Sequence, residues 1–256
     1  MRGKSLKLFI RVIVLGLLLG ASSTAYADTV AISSLTVSNL QFDAATGTAV
    51  FTPTGVSARA NASNSLGQSQ NNETSTFPLA QTSAAVPGAS AFASANAANN
   101  SLTSMTLAMV GGCSCTASSF TVVTLNGTLV IVGAEGSVDV NISALGSILR
   151  NLQTDQFGVL AQAELFFDLF VNDRPVFSVQ IDLFHPLEGP NRFVMLEGSF
   201  PLSGTIRLQS GVENTISARL STGSAAVSEV PEPATIVLLV SGLGFMTGVL
   251  KKRRDG

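Results

Sequence analysis

The chain has 256 residues, enough for one domain of ordinary size or two small ones, and a formal net charge of −2 at pH 7. All of its lysines lie in the terminal segments, so the body between Asp28 and Glu229 carries six arginines against fourteen acids, a net charge of −8. This balance argues against a nucleic-acid partner, which needs a basic surface to neutralise phosphates. It also argues against simple adsorption to an anionic lipid surface.

The first 27 residues follow the three-part pattern of a secretory signal peptide. A basic region precedes an uncharged apolar run from Val12 to Leu19. Small residues then stand at Ala25 and Ala27, where a signal peptidase accepts them just before the cleaved bond. The apolar run is short for the alternative, an uncleaved anchor helix of about 20 residues. We therefore expect signal peptidase to cleave after Ala27.

The body, residues 28–221, is predicted to be all-β and to form a β-sandwich of jelly-roll-like type. Strands are predicted first at Val30 to Phe42 and at Thr48 to Ala60. The region from about 60 to 100 is rich in Asn, Ser and Ala and has few large apolar residues. Such a composition indicates a partly ordered region, because it buries little apolar surface. Its alternative is two polar strands at a sheet edge, in which Ala93, Ala95 and Ala97 alternate with Ser94 and Asn96.

Two hairpins are predicted in the second half of the body. Residues 120–125 and 128–132 flank Asn126-Gly127, a pair that suits a type I′ turn because both residues tolerate positive φ. Residues 165–171 and 176–184 flank the turn 172–175, and the second of these runs alternates with period 2. Further strands are predicted at 138–143, 192–200, 204–209 and 215–221. Whether 143–152 forms a short helix is left open. Many short strands separated by turn signals are typical of a β-sandwich.

Cys113 and Cys115 are the only cysteines, and they lie in a Gly-preceded turn. In an oxidising exterior we expect a local disulfide that stiffens this turn. The alternatives are a redox site or half of a metal site, but zinc would need two further ligands.

His185 is the sole histidine, and no Gly-x-Ser-x-Gly element accompanies it, so a hydrolase triad is not indicated. Acids cluster around the second hairpin, at Glu164, Asp168, Asp173, Asp182 and Glu188. Paired carboxylates can hydrolyse glycosides and several can hold Ca²⁺, yet the same pattern is that of a solvated strand face. The sequence thus indicates no catalytic residue, no cofactor and no metal.

The C-terminal segment, residues 230–256, combines three features after a flexible spacer predicted at 222–229. Val230-Pro231-Glu232-Pro233-Ala234-Thr235 comes first, and its prolines keep the chain extended. Residues 234–250 are uncharged and at the lower length limit of a transmembrane helix, about 17–25 residues. A basic cluster then stays on the cytoplasmic side; it consists of Lys251, Lys252, Arg253 and Arg254.

This segment closely resembles the PEP-CTERM sorting signal. The resemblance covers about the last 27 residues and implies recognition by an exosortase, a membrane enzyme that removes the tail near the motif. It further implies an exported protein, anchored through its C-terminal helix before processing and then held at the cell surface or in the extracellular matrix. We expect a non-enzymatic protein associated with exopolysaccharide or biofilm. A carbohydrate- or calcium-binding sandwich module is the alternative, and a polysaccharide hydrolase is a further one.

Overall fold

The protein is described here from a computed structural model, which describes residues 29–111, 115–154, 158–180, 187–189 and 191–229. These residues form two antiparallel sheets, so the all-β expectation is confirmed. The first sheet, sheet A, has the strand order β12-β8-β1-β6-β5-β4. The second, sheet B, has the order β10-β9-β13-β7-β2-β3, with β11 pairing beside β9. The sheets pack face to face as a sandwich, and side chains from both inner faces form one core.

The strands of sheet A are β1 (Thr29–Ala44), β4 (Leu79–Val86), β5 (Ala89–Asn96), β6 (Ser101–Val110), β8 (Ser137–Thr154) and β12 (Arg192–Gln209). Those of sheet B are β2 (Thr48–Asn64), β3 (Ser69–Thr74), β7 (Cys115–Val132), β9 (Gly158–Val171), β10 (Arg174–Gln180), β11 (Leu187–Glu188) and β13 (Asn214–Ser228). A single 3₁₀ turn, Ala97–Asn99, joins β5 to β6.

The predicted hairpin in the acidic region is confirmed. β9 and β10 pair from Val171 and Arg174 outward, so the connection is the two-residue turn Asn172-Asp173. Both residues have positive φ, 50° and 60°, as a type I′ turn requires. The strands predicted near the start of the body are likewise β1 and β2. Residues 181–184, predicted to continue β10, lie outside the described residues.

The hairpin predicted at Asn126-Gly127 was wrong. β7 runs without interruption through both residues and pairs along its length with β2 on one side and β13 on the other. The ring of Phe51 lies over Gly127, at the point where a side chain would otherwise stand. Because ladder bonds on both flanks hold this glycine extended, its freedom to turn is not used.

Two further stretches are strand where the sequence indicated less order. Residues 143–152 continue β8 and form no helix: Ile148, Arg150 and Leu152 are buried on its inner face. The region from 60 to 100 contains the end of β2 and all of β3, β4 and β5, so the expectation of partial order was wrong. The alternative of edge strands was right in part, because β3 and β4 are edge strands, but β5, which carries Ala93 and Ala95, lies between β4 and β6. Alanines fill the inner face of β5, where a small side chain is enough because the facing strands also carry small residues.

The flexible spacer predicted at 222–229 was also wrong, because β13 extends to Ser228. In its last part Thr222, Ser224, Ala226 and Ser228 are all buried. Only Glu229 separates the end of this strand from Val230. Composition was misleading, since small and hydroxylated side chains resemble a linker while here they face the opposite sheet.

The core has two halves along the strands. One, the large-residue half, is filled by Leu, Val, Ile and Phe side chains, with Phe167 among the largest fully buried ones. The other, the alanine half, consists mainly of alanines from both sheets. They are Ala31, Ala60, Ala62, Ala84, Ala89, Ala91, Ala108, Ala117, Ala161, Ala163 and Ala226.

Buried hydroxyls lie between these halves and link the two sheets; we call them the hydroxyl belt. Its members are Ser33, Ser104, Thr106, Thr121, Thr222 and Ser224. Ser33 Oγ donates to the carbonyl of Gly223 at 3.0 Å, and Ser33 Oγ and Thr106 Oγ1 lie 2.6 Å apart. Ser104 Oγ lies 2.7 Å from Thr222 Oγ1. Buried hydroxyls left without partners would be costly, so these bonds make the polar layer compatible with burial.

Both ends of the described body lie at the alanine end of the sandwich. Thr29 begins β1 opposite Val110, the last residue of β6. Ser228 ends β13 opposite Cys115, the first residue of β7. Only four residues connect Val110 to Cys115, so the ends of β6 and β7 lie at the same end of the sandwich. Thr29 and Ser228, which pair with these two residues, therefore lie at that end as well. Within the described ranges, no helix has the length and apolarity that crossing a membrane would require.

Candidate functional site

Most of the residues that the sequence singled out lie outside the described ranges. These are the signal-cleavage residues Ala25 and Ala27, Cys113, Asp182, His185, the motif Val230, Pro231, Glu232, Pro233, Ala234 and Thr235, and the basic cluster Lys251, Lys252, Arg253 and Arg254. The predicted transmembrane helix 234–250 is among them. Their roles stay predictions.

Cys115 begins β7 and is disulfide-bonded. The sequence holds one other cysteine, Cys113. A bonded thiol neither titrates nor coordinates a metal as a thiolate. Of the roles considered for this cysteine pair, a disulfide that stiffens the turn is therefore the one that remains to be tested.

The acidic residues around β9 and β10 that the structure describes do not converge on one point. Asp168 Oδ1 accepts a hydrogen bond from Ser178 Oγ at 2.6 Å across the hairpin. Glu164 Oε1 accepts one from Gln162 Nε2 at 2.9 Å. Asp173 lies in the turn, and Glu188 lies in β11 opposite Leu160. Among the described residues, no three or more His, Cys, Asp or Glu side chains come together as a metal site would need.

The strongest candidate surface is a row of side chains across the outer face of sheet B. Strand registers place Asn71, Asn61, Phe120, Gly223 and Glu164 side by side on β3, β2, β7, β13 and β9. We call this the amide–phenyl row. Neighbouring strands are about 4.8 Å apart, so the row extends for roughly 20 Å across the sheet.

Phe120 is the exposed apolar centre of the row, with 42% of its surface accessible. Gly223 beside it has no side chain; a Cβ placed there would lie 3.6 Å from the Phe120 ring and 3.7 Å from Glu164 Cβ. The ring and the carboxylate thus approach each other across the glycine. On the other side, Arg59 Nε donates to Asn71 Oδ1 at 3.2 Å and orients that amide.

The arrangement combines an exposed ring with amide, guanidinium and carboxylate groups on a rigid sheet. Such a surface can hold a sugar, whose apolar ring face packs on the phenyl group while its hydroxyls bond to the polar groups. A purely structural role for Phe120 is the alternative, because aromatic rings also cover Gly127 and Gly146 elsewhere in the protein. Phe120 differs from the rings that cover those glycines in its exposure, since Phe51 and Phe200 are more buried.

Two interior features are weaker candidates for a ligand site. Arg150 lies on the inner face of β8 and is almost fully buried, and desolvation lowers its pKa from the ordinary value, although an arginine stays protonated in proteins. A small pocket between the sheets is lined by Phe167, Phe177, Leu40, Leu202 and Gly204, among others, and its wall exposes no polar surface. Ligand pockets need a few placed polar groups to orient what they bind.

Of the amide–phenyl row, the clustered acids of the sequence analysis had included Glu164. The row comes from five strands that are distant in sequence, so no local motif marks it. One signal was present: Phe120 has the opposite parity to the inward-facing Thr121 and Val123, which places its ring outside.

Comparison with known proteins adds no relative. No protein-family model matches the chain, and no curated protein is similar to it.

Proposed function

We propose that this chain is an exported, non-enzymatic protein of the bacterial cell surface or extracellular matrix, processed by an exosortase and associated with exopolysaccharide. The observation that carries the proposal is the order of signals at the two ends of the sequence. A signal-peptide pattern at 1–27 begins the chain, and the Val230-Pro231-Glu232-Pro233 motif, the apolar segment and the basic tail end it. Signal peptidase and an exosortase are its processing partners, and the membrane holds it in between.

The geometry of the body supports this order of events. Since Thr29 and Ser228 lie at the same end of the sandwich, a single end of the body faces the membrane while the protein is anchored. Only Glu229 separates the folded strand from Val230, so the motif follows the body directly in the sequence. Its prolines disfavour helix and give the processing enzyme an extended substrate.

Substitution of the motif tests the processing step in the host. Changing Pro231→Ala, Glu232→Ala and Pro233→Ala together is expected to leave a longer species in the membrane fraction that still carries the basic tail, as detected with a tail-specific antibody. Glu229→Ala removes an acid just outside the motif and serves as the control, with normal processing. Normal trimming of the triple variant would refute the assignment.

A second candidate function, carbohydrate binding, is favoured by the amide–phenyl row. Removing its ring with Phe120→Ala is expected to weaken retention of the body, residues 28–229, on the host's own polysaccharide by about tenfold or more, a loss of roughly 1.4 kcal/mol or more. Val132→Ala is the matched control, because Val132 is a similarly exposed residue on the same face of the same strand. Equal retention of both variants, or none by the unmodified body, would remove this candidate.

Two finer expectations remain proposals. A jelly-roll-like path agrees with the repeated crossing of the chain between sheets, although these sheets are wider than two four-stranded layers. Calcium binding predicts a rise in melting temperature on titration with millimolar Ca²⁺, because a ligand that binds the native state stabilises it. An unchanged melting temperature would refute it.

A further inference from the structure

β12 is the edge strand of sheet A, and its first half extends beyond the core. Among the described strands only β8 pairs with it, from Arg192 opposite Thr154 to Gln209 opposite Ser137. In the second half of β12, Leu202 and Leu208 are buried against the core. The first half, residues 192–199, is exposed at every position.

Four consecutive apolar residues in this half are exposed on both faces of the sheet. Val194 and Leu196 lie opposite Leu152 and Arg150 and therefore point inward, yet they are 40% and 37% exposed. Phe193 and Met195 point outward and are 61% and 53% exposed. A run without charge, proline or glycine at a free edge is the pattern that pairs with another strand.

The other edges of the sandwich are protected. On β4, the carbonyl of Ser83 accepts a hydrogen bond from Asn72 at 2.6 Å, and the N–H of Ala85 donates to Gln70 at 2.7 Å, so side chains of β3 occupy this edge. β3 itself is polar throughout. β10 carries Pro175 and an irregular register beside it. Among the residues that the structure describes, none of these features protects the first half of β12, which indicates that this edge pairs with another strand.

We propose that residues 192–198 of β12 pair antiparallel with the same segment of a second copy, about a two-fold axis at Met195. An edge strand is complementary to itself under such a rotation, which joins two A sheets into one. The axis places Val194 opposite Leu196 on the inner side and Met195 opposite its own copy. The segment holds one Arg and one Glu, so it is neutral within a body of net charge −8, and pairing it with its own copy brings no net charge together at the interface.

The oligomeric state of residues 28–229 tests the proposal; this fragment contains all thirteen strands and both halves of the core. Sedimentation from low micromolar to several hundred micromolar protein is expected to show a monomer–dimer equilibrium. Met195→Lys and Met195→Glu each place like charges opposite each other at the axis, and each is expected to be monomeric. Val212→Lys, at a similarly exposed site in the β12–β13 loop, is expected to dimerise like the unmodified fragment.

Mixing the two Met195 variants distinguishes pairing from damage to the fold. An equimolar mixture is expected to form a heterodimer, because Lys then lies opposite Glu across the axis. An unmodified fragment that stays monomeric, including one that instead captures a different protein, would overturn the proposal. So would dimers that survive Met195→Lys, or variants that stay monomeric when mixed.

Discussion

The two halves of the core fill the space between the sheets with side chains of different size. In the large-residue half, bulky groups such as Phe167 and Leu125 fill the space between the sheets. In the alanine half, the methyl groups of alanines from both sheets fill most of this space. Since protein interiors are close-packed, we infer that the sheets approach more closely in the alanine half. Burial in this protein is therefore set by the fit between facing residues rather than by the hydrophobicity of each residue.

The largest effect is expected from emptying the large-residue half. Phe167 is fully buried, and its ring contacts Phe177 edge-on at 5.9 Å between centroids. Phe167→Ala is expected to lower the free energy of unfolding by about 3–5 kcal/mol, because it removes apolar surface and leaves a cavity. Phe166→Ala, on the outer face of the same strand, should cost clearly less. Equal losses in chemical denaturation would show that this half is not packed as described.

Filling the alanine half should be the next most harmful change. Ala84 is buried in that half, whereas its neighbour Ala85 faces solvent. Ala84→Leu is expected to lower stability by about 1–3 kcal/mol through overpacking, and Ala85→Leu should stay within about 0.5 kcal/mol of the unmodified protein. Denaturant titration of both variants checks this. A stabilising Ala84→Leu would mean that the alanine half contains unfilled space.

The hydroxyl belt between the halves gives the smallest expected effect. Ser104→Ala removes one hydroxyl but leaves Thr121 and Thr222, whose oxygens lie 2.9 Å apart, to bond each other. We expect a loss of about 1 kcal/mol in the free energy of unfolding. Ser94→Ala, on the outer face of β5, is the control and should change little. A stabilising Ser104→Ala would show that burying this hydroxyl destabilises the protein more than its hydrogen bonds stabilise it.

The elements that could be predicted from the sequence differ from the others in the same way, by the size of their inward-facing side chains. The β9–β10 hairpin was, because its turn residues and its period-2 alternation agree, and its inner face carries large apolar residues. β3, β4, β5 and the end of β13 were underestimated, because alanine, serine and threonine contribute little to any count of hydrophobic residues. Asn126-Gly127 misled because a local turn preference was outweighed by pairing on both sides of β7.

The candidate site was even harder to predict from the sequence. A row assembled from five strands depends on register, which no single segment encodes. The first half of β12 was predicted as strand, but its exposure could not be predicted, because exposure depends on which residues of the other sheet face it. The proposed export signals, by contrast, are local patterns, so the sequence alone could suggest them.

Mass spectrometry of the mature protein from its host tests the central claim most directly, because it reads both termini in one measurement. The account predicts an N-terminus at Asp28 and a C-terminus near the Val230-Pro231-Glu232-Pro233 motif, without the basic tail. An intact chain that still begins at Met1 and ends at Gly256 would contradict it.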